Sequence, residues 1–250
     1  AIVTLNRPAA RNAITPAMTR AFNDFLQSIE HDRAIRCVLL RGAGEHFMAG
    51  GDVKSFGETL TLSASERRQQ FEARVHAVTP LLLTMQRMPQ ILLTAVRGAC
   101  AGAGLSWVAG SDLTIAARSS IFVLSQINIA ASPDGSGSYW LPRAVGLKRA
   151  KEIALLGGRI TAEEAERWGL VNRVVDDADF DAAVEDWVGR LAAGPAAALG
   201  NTKRLLNQSL LNTLAAQLEL EATSFSACAA EPDFIEAITA FIEKRKPRYT

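Results

Sequence analysis

Apolar residues follow two alternating patterns over the first 175 positions. Short unbroken apolar runs occur at "AIVTLN" (1–6), "IRCVLLRG" (35–42), "ILLTAVRG" (91–98), "DLTIAA" (112–117), "IFVL" (121–124) and "LVNRVV" (170–175). Their length suits buried strands. Between them the spacing turns helical. Met18, Phe22, Phe25 and Ile29 share one face, after Thr15 as N-cap and Pro16 at the first helical position. Residues 65–88 read as one long helical stretch with Phe71, Val75, Val78 and Leu82 on one side. "ACAGAGLSWVAG" (99–110) is rich in small residues and runs into a short apolar helix. "LKRAKEIALLGG" is a helix ending in glycine, and "TAEEAERWG" opens with a capping box of Thr161 and Glu164.

This alternation predicts an α/β core with parallel strand pairing. Its character changes late in the chain. From Asp179 onward the pattern is helical, with an apolar stripe of Leu205, Leu206, Leu210, Leu211, Leu214 and Leu218. The expected organisation is a core over residues 1–195 and a helical region over residues 196–250. The stripe is expected to pack on the core or on another subunit.

Composition narrows the class. The 250 residues suffice for a full core, and a formal net charge of +1 with mixed signs gives no global pull toward nucleic acid or an acidic membrane. Cys37, Cys100 and Cys228 are far apart with no CxxC, which suggests reduced thiols and a cytoplasmic setting. No apolar run is long enough to span a bilayer, and no signal pattern occurs. The chain opens at a strand without Met, so a preceding piece is expected to lie outside it.

Two glycine-bearing stretches, "FMAGGDVK" (47–54) and "RGACAGAGLSW" (97–107), each follow a strand and enter a helix. A helix start offers free N–H groups and a positive dipole end, which can hold a phosphate or a developing oxyanion. Close strand–helix packing would use the same small residues. Neither stretch fits a dinucleotide or Walker pattern, and no G-x-S-x-G elbow is present. His31, His46 and His76 lack metal-ligand spacing, so no metal is expected. His46 borders the first loop, where it could meet substrate or simply cover the turn.

Asp134 is the only carboxylate between Asp112 and Glu152, and it stands in "PDGSGSYWLP". Followed by Gly-Ser-Gly and a helical run, it has the pattern of an N-cap. The small and apolar residues before it, Ile127, Ile129, Ala130 and Ala131, also suit a dry pocket around a working carboxylate.

Taken in order, "LNRPAARNAIT" (5–15), "HFMAGGDVKSF" (46–56), "AVRGACAGAGLSW" (95–107), "SDLTIAARSSIF" (111–122), "PDGSGSYWLPRAVG" (133–146), "ALLGGRITAEEAERWGLVNRVV" (154–175) and "AFIEKRKPRYT" resemble the enoyl-CoA hydratase/isomerase (crotonase) family across essentially the whole chain. The resemblance implies a crotonase-like spiral of ββα units with a C-terminal helical region, trimers or dimers of trimers, and an acyl-CoA thioester substrate. Coenzyme A would then be part of the substrate, with no separate cofactor. It also implies an oxyanion hole from the Gly51 and Ala103 amides, and a coenzyme A path along Ala49, Gly50, Asp52, Val53 and Lys54. Lys54, Lys244 and Lys246 are then candidate phosphate neighbours.

The pattern departs where family hydratases carry two glutamates, because Ser106 and Gln126 stand there. These can orient a water but cannot exchange a proton, so Asp134 is expected to carry the chemistry of an isomerase. The surrounding sequence looks most like the phenylacetyl-pathway epoxide isomerases. A hydratase working through water on Ser106 and Gln126, or a non-catalytic acyl-CoA-binding subunit, are the alternatives.

Overall fold

The computed structural model describes residues 1–250. Strand β1 (Ile2–Leu5) leads through a short 3-10 turn into α1 (Pro16–Ile29), where the Thr15 hydroxyl accepts from the Met18 amide as the cap pattern predicts. Then come β2 (Cys37–Gly42), a single turn α2 (Val53–Phe56), α3 (Ala64–His76) and α4 (Thr79–Arg87). Strands β3 (Ile91–Val96) and β4 (Ala99–Ala101) precede α5 (Ala103–Gly110). Next are β5 (Leu113–Ala117), β6 (Ile121–Val123), α6 (Gly137–Val145) and α7 (Leu147–Leu156). The core closes with β7 (Ile160–Thr161), α8 (Ala162–Arg167), β8 (Arg173–Val175) and α9 (Phe180–Ala192). Helices α10 (Ala196–Ser209), α11 (Leu214–Ala229) and α12 (Pro232–Ile242) follow.

The strands form two sheets. The first is parallel in the order β1-β2-β3-β5-β8. In the second, β4 pairs parallel with β6, and β6 antiparallel with β7. Successive passes place one strand in each sheet: β3 then β4, and β5 then β6. Each pass then enters a helix, which is the expected ββα spiral. A parallel bridge of Met48 to Cys100 adds the segment after β2 to the second sheet. Buried side chains, among them Leu40, Phe47, Met48, Leu92, Leu105, Trp107 and Phe122, fill the space enclosed by these layers. β4 and β7 escape a pattern reading because they are only three and two residues long.

One expectation is corrected. The stretch 65–88 is not one helix but two, broken at Ala77–Val78. Pro80 sits in the first turn of α4, where its missing N–H costs nothing, but in a continuous helix it would clash with the preceding turn. The proposed face is therefore not continuous. Val75 is exposed, and the buried positions of α4 are Leu81, Thr84 and Met85.

The leucine stripe, expected on the core or on another subunit, does not pack on its own core. Leu206, Leu210, Leu211, Leu214 and Leu218 remain 54–76% exposed. The contact is made by Gly200, Lys203 and Asn207 of α10. A β-carbon on Gly200 would stand 2.8 Å from Pro89 Cβ, so only a hydrogen lets the helix approach there. Lys203 enters the core beside it, with a side chain 3% exposed against 15% for Asp112. Its Nζ lies 2.7 Å from Asp112 Oδ2 and donates to the Met85 and Gln90 carbonyls at 2.8 and 3.0 Å. Asp112 Oδ2 also accepts from the Leu92 amide at 2.7 Å. Burial pushes Asp112 above the usual carboxylate range and Lys203 below the usual lysine range, while their mutual attraction opposes both shifts.

Candidate active site

The first loop leaves the carboxyl end of β2 and is held by the N-terminal segment. The Ala49 amide donates to the Arg11 carbonyl at 2.9 Å, and the Ile14 amide to the Gly50 carbonyl at 2.8 Å. Arg7 donates to the Ala13 carbonyl at 2.8 Å and pairs with Asp52 at 3.0 Å. Asn12 is fully buried in a left-handed conformation. Its side-chain oxygen accepts from the Arg7 amide, and its amide nitrogen donates to the Ala43 and His46 carbonyls at 2.9 and 2.7 Å. Asp52, expected on the coenzyme A path, therefore already has an internal partner, whereas Val53 and Lys54 are exposed.

The two glycine-rich loops are joined edge to edge. The Met48 amide donates to the Ala99 carbonyl at 3.1 Å, and the Ala101 amide returns to the Met48 carbonyl at 2.8 Å. The Ala99 amide donates to His46 Nδ1 at 3.2 Å, so this ring pins the second loop to the first. Gly50 has φ +94°, and a β-carbon there would stand 3.0 Å from the Ala101 carbonyl and 3.4 Å from the Ala103 nitrogen. Ala103 is the first residue of α5, so its N–H has no acceptor inside the helix. The Gly51 N–H donates to no backbone acceptor. Two amides from different loops thus stand on neighbouring residues without an internal role. Free N–H groups of this kind are what an oxyanion hole is built from.

Beside them lies a polar cluster. Ser106 is fully buried on α5, with only a long 3.5 Å contact from its hydroxyl to the Gly102 carbonyl. A β-carbon on Gly137 would collide with that hydroxyl, and one on Gly135 would stand 3.4 Å from Ser106 Cβ. The 134–137 turn is therefore packed on Ser106. Gln126 is buried, and its Nε2 donates to Asp134 Oδ1 at 2.9 Å. A β-carbon on Gly102 would stand 4.0 Å from that same Nε2. Ser106, Gln126, Asp134 and the second loop are thus brought together.

The structure rejects the capping pattern at Asp134. The N-cap of α6 is Ser136, with no side-chain cap, and the Gly137 amide bonds the Asp134 backbone carbonyl at 3.1 Å. The carboxylate is left to Gln126. The dry pocket is corrected as well. Asp134, Ala130 and Ala131 are exposed in the single chain, as are Ile127 at 42% and Ile129 at 48%.

The tail lysines do not join this cluster within one chain. The Thr250 carbonyl accepts from Arg36, which precedes β2, so the tail is anchored at the end of the sheet away from the loops. No three His, Cys, Asp or Glu side chains gather in a metal-ligating group. Pattern reading missed Arg7 and Asn12 as loop anchors. The only local sign was a polar "RPAARN" run directly after a strand.

The family model for enoyl-CoA hydratase/isomerase matches residues 1–250. The 1,2-epoxyphenylacetyl-CoA isomerase of Escherichia coli (strain K12) is 36% identical over 99% of this chain and 94% of that protein. A protein of Rhodobacter capsulatus named "Probable enoyl-CoA hydratase" is 37% identical over 100% of this chain and 94% of its own length. The crystal structure of an enoyl-CoA hydratase from Polaromonas sp. JS666 superposes with a TM-score of 0.90 at 32% identity, covering 100% of this chain and 95% of that one. Full-length sequence similarity, the two-sheet spiral and the paired loops agree: the chain belongs to the enoyl-CoA hydratase/isomerase family.

Proposed function

We propose that this protein is an acyl-CoA isomerase with Asp134 as its only acid/base group. The observation that carries this is that the Asp134 carboxylate is not spent on capping α6, while both nearby polar side chains, Ser106 and Gln126, are uncharged. The thioester oxygen lies on the Gly51 and Ala103 amides, with coenzyme A bound as part of the substrate along residues 49–54. Enolisation places negative charge on that oxygen. One such donor is worth about 3–4 kcal/mol at the barrier. Asp134 takes a proton from C2 of a 3-enoyl-CoA and returns it at C4, giving the 2-enoyl-CoA. The carboxylate ends as it began, so one group suffices. Hydration would need a second proton-exchanging group for the water. Isomerisation of a ring-epoxide acyl-CoA, the activity named for the Escherichia coli relative, uses the same enolate-stabilising amides. The protein works as a homotrimer or dimer of trimers, and its unpaired cysteines suit the cytoplasm.

The test is Asp134→Asn, with folding checked by circular dichroism. Isomerisation of 3-enoyl-CoA is expected to fall by about 10²–10⁴, the usual contribution of a positioned acid/base group. Wild-type turnover in the variant would overturn the mechanism. Hydration of crotonyl-CoA at the rate of isomerisation, lost in Ser106→Ala, would assign the protein to the hydratases instead.

A further inference from the structure

We infer that Gln126 is a positioning residue that aims the Asp134 carboxylate, a role that rests on Asp134 being the base. Asp134 sits on an exposed turn directly before two consecutive positive-φ residues, Gly135 and Ser136, and Ala130, four residues earlier, is also left-handed. No other side chain bonds its carboxylate. Without Gln126 it would be a short freely rotating acid at the edge of the site. With Gln126 donating to Oδ1, the other oxygen, Oδ2, has a set direction and remains free to take a proton. Orientation of this kind is what turns a nearby base into an effective one.

The second half of the same amide supports this assignment. Gln126 Oε1 is buried and has no hydrogen-bond partner. Buried side-chain acceptors are nearly always satisfied, so an orphan needs a reason. Turning the amide over would set Oε1 against an Asp134 oxygen, acceptor facing acceptor. Asp134 therefore dictates the amide's orientation, and the unmet Oε1 follows from it. A side chain present only for stability would be better apolar at this place. Its amide also faces the oxyanion loop, since a β-carbon on Gly102, which immediately precedes Ala103, would stand 4.0 Å from Nε2. One residue thus relates the base to the amide that holds the thioester oxygen.

The experiment compares Gln126→Leu and Gln126→Met with wild type and with Asp134→Asn. It measures kcat and KM for 3-enoyl-CoA, exchange of the C2 hydrogens of a saturated acyl-CoA with D2O, and the melting temperature. Both Gln126 variants are expected to lose about 10- to 100-fold in kcat and in exchange rate, with KM within about twofold. Their melting temperatures should be unchanged or higher, because a buried orphan acceptor is removed. Loss of stability together with a raised KM would indicate a packing role and overturn the inference. So would wild-type kcat in both Gln126 variants beside an inactive Asp134→Asn, an outcome that leaves the proposed function standing. Full activity in Asp134→Asn would remove the base itself, and this inference with it.

Discussion

At Gly50 the backbone adopts φ +94° and passes within van der Waals distance of the second loop. Only glycine combines that conformation with that approach. Gly50→Ala is therefore expected to part the Gly51 and Ala103 amides while leaving the remote core intact. Losing one oxyanion donor costs about 10²–10³ in rate, so kcat should fall toward that range with little change in global unfolding by urea. At Asp134 the local pattern and the structure diverge. "DGSG" before a helix reads as a cap, yet two consecutive left-handed residues turn the chain so that the backbone carbonyl takes the helix-start amide. That outcome depends on the turn packing against Ser106 and on Gln126 arriving from another segment. Neither contact is written in the four residues themselves.

At the scale of elements, end signals were legible where they are local. Thr15 with Pro16, and Thr161 with Glu164, fold as their chemistry requires. Periodicity failed over 65–88, because a proline in the middle of a helical pattern permits a new start as readily as it ends the old helix. It did not show which residues of α10 meet the core. The apolar stripe left the core and another subunit open as partners, whereas Gly200 and Lys203 make the core contact, and a buried lysine has no periodic signature. The three protons of Lys203 are matched by Asp112 and two carbonyls. Removing it leaves a buried carboxylate and two orphan acceptors. Lys203→Met is thus expected to destabilise the protein by about 3–5 kcal/mol in chemical denaturation. Adding Asp112→Asn should recover part of that loss, since the two sites share one interaction.

Over the whole molecule, the single chain leaves large apolar side chains in water. Beyond the leucine stripe these include Phe225 at 68%, Phe241 at 83% and Ile242 at 73% exposure. Ile127, Ile129, Leu155 and Leu156 are exposed as well, next to the Asp134 turn. Large apolar side chains exposed in this number are what the proposed assembly of subunits would cover. Light scattering is expected to give a mass of roughly 80 kDa or its double, from protomers of 26.8 kDa. Phe241→Asp should shift the population toward the monomer, and a monomeric wild type would refute the assembly.

The chain by itself determined the order of the longer strands and most helices, the starts of α1 and α8, the small-residue loops and the isolation of Asp134 as an acid. These follow from short-range physics: side-chain periodicity, capping chemistry and the steric freedom of glycine. Only the tertiary structure decided that residues 50 and 103 are neighbours, that Asn12 and Arg7 hold the first loop, and that the Asp134 carboxylate answers to Gln126 rather than to its own helix. Those outcomes depend on which segments the parallel sheet stacks side by side. A parallel sheet joins strands far apart in the chain, so its contacts leave no periodic trace along it.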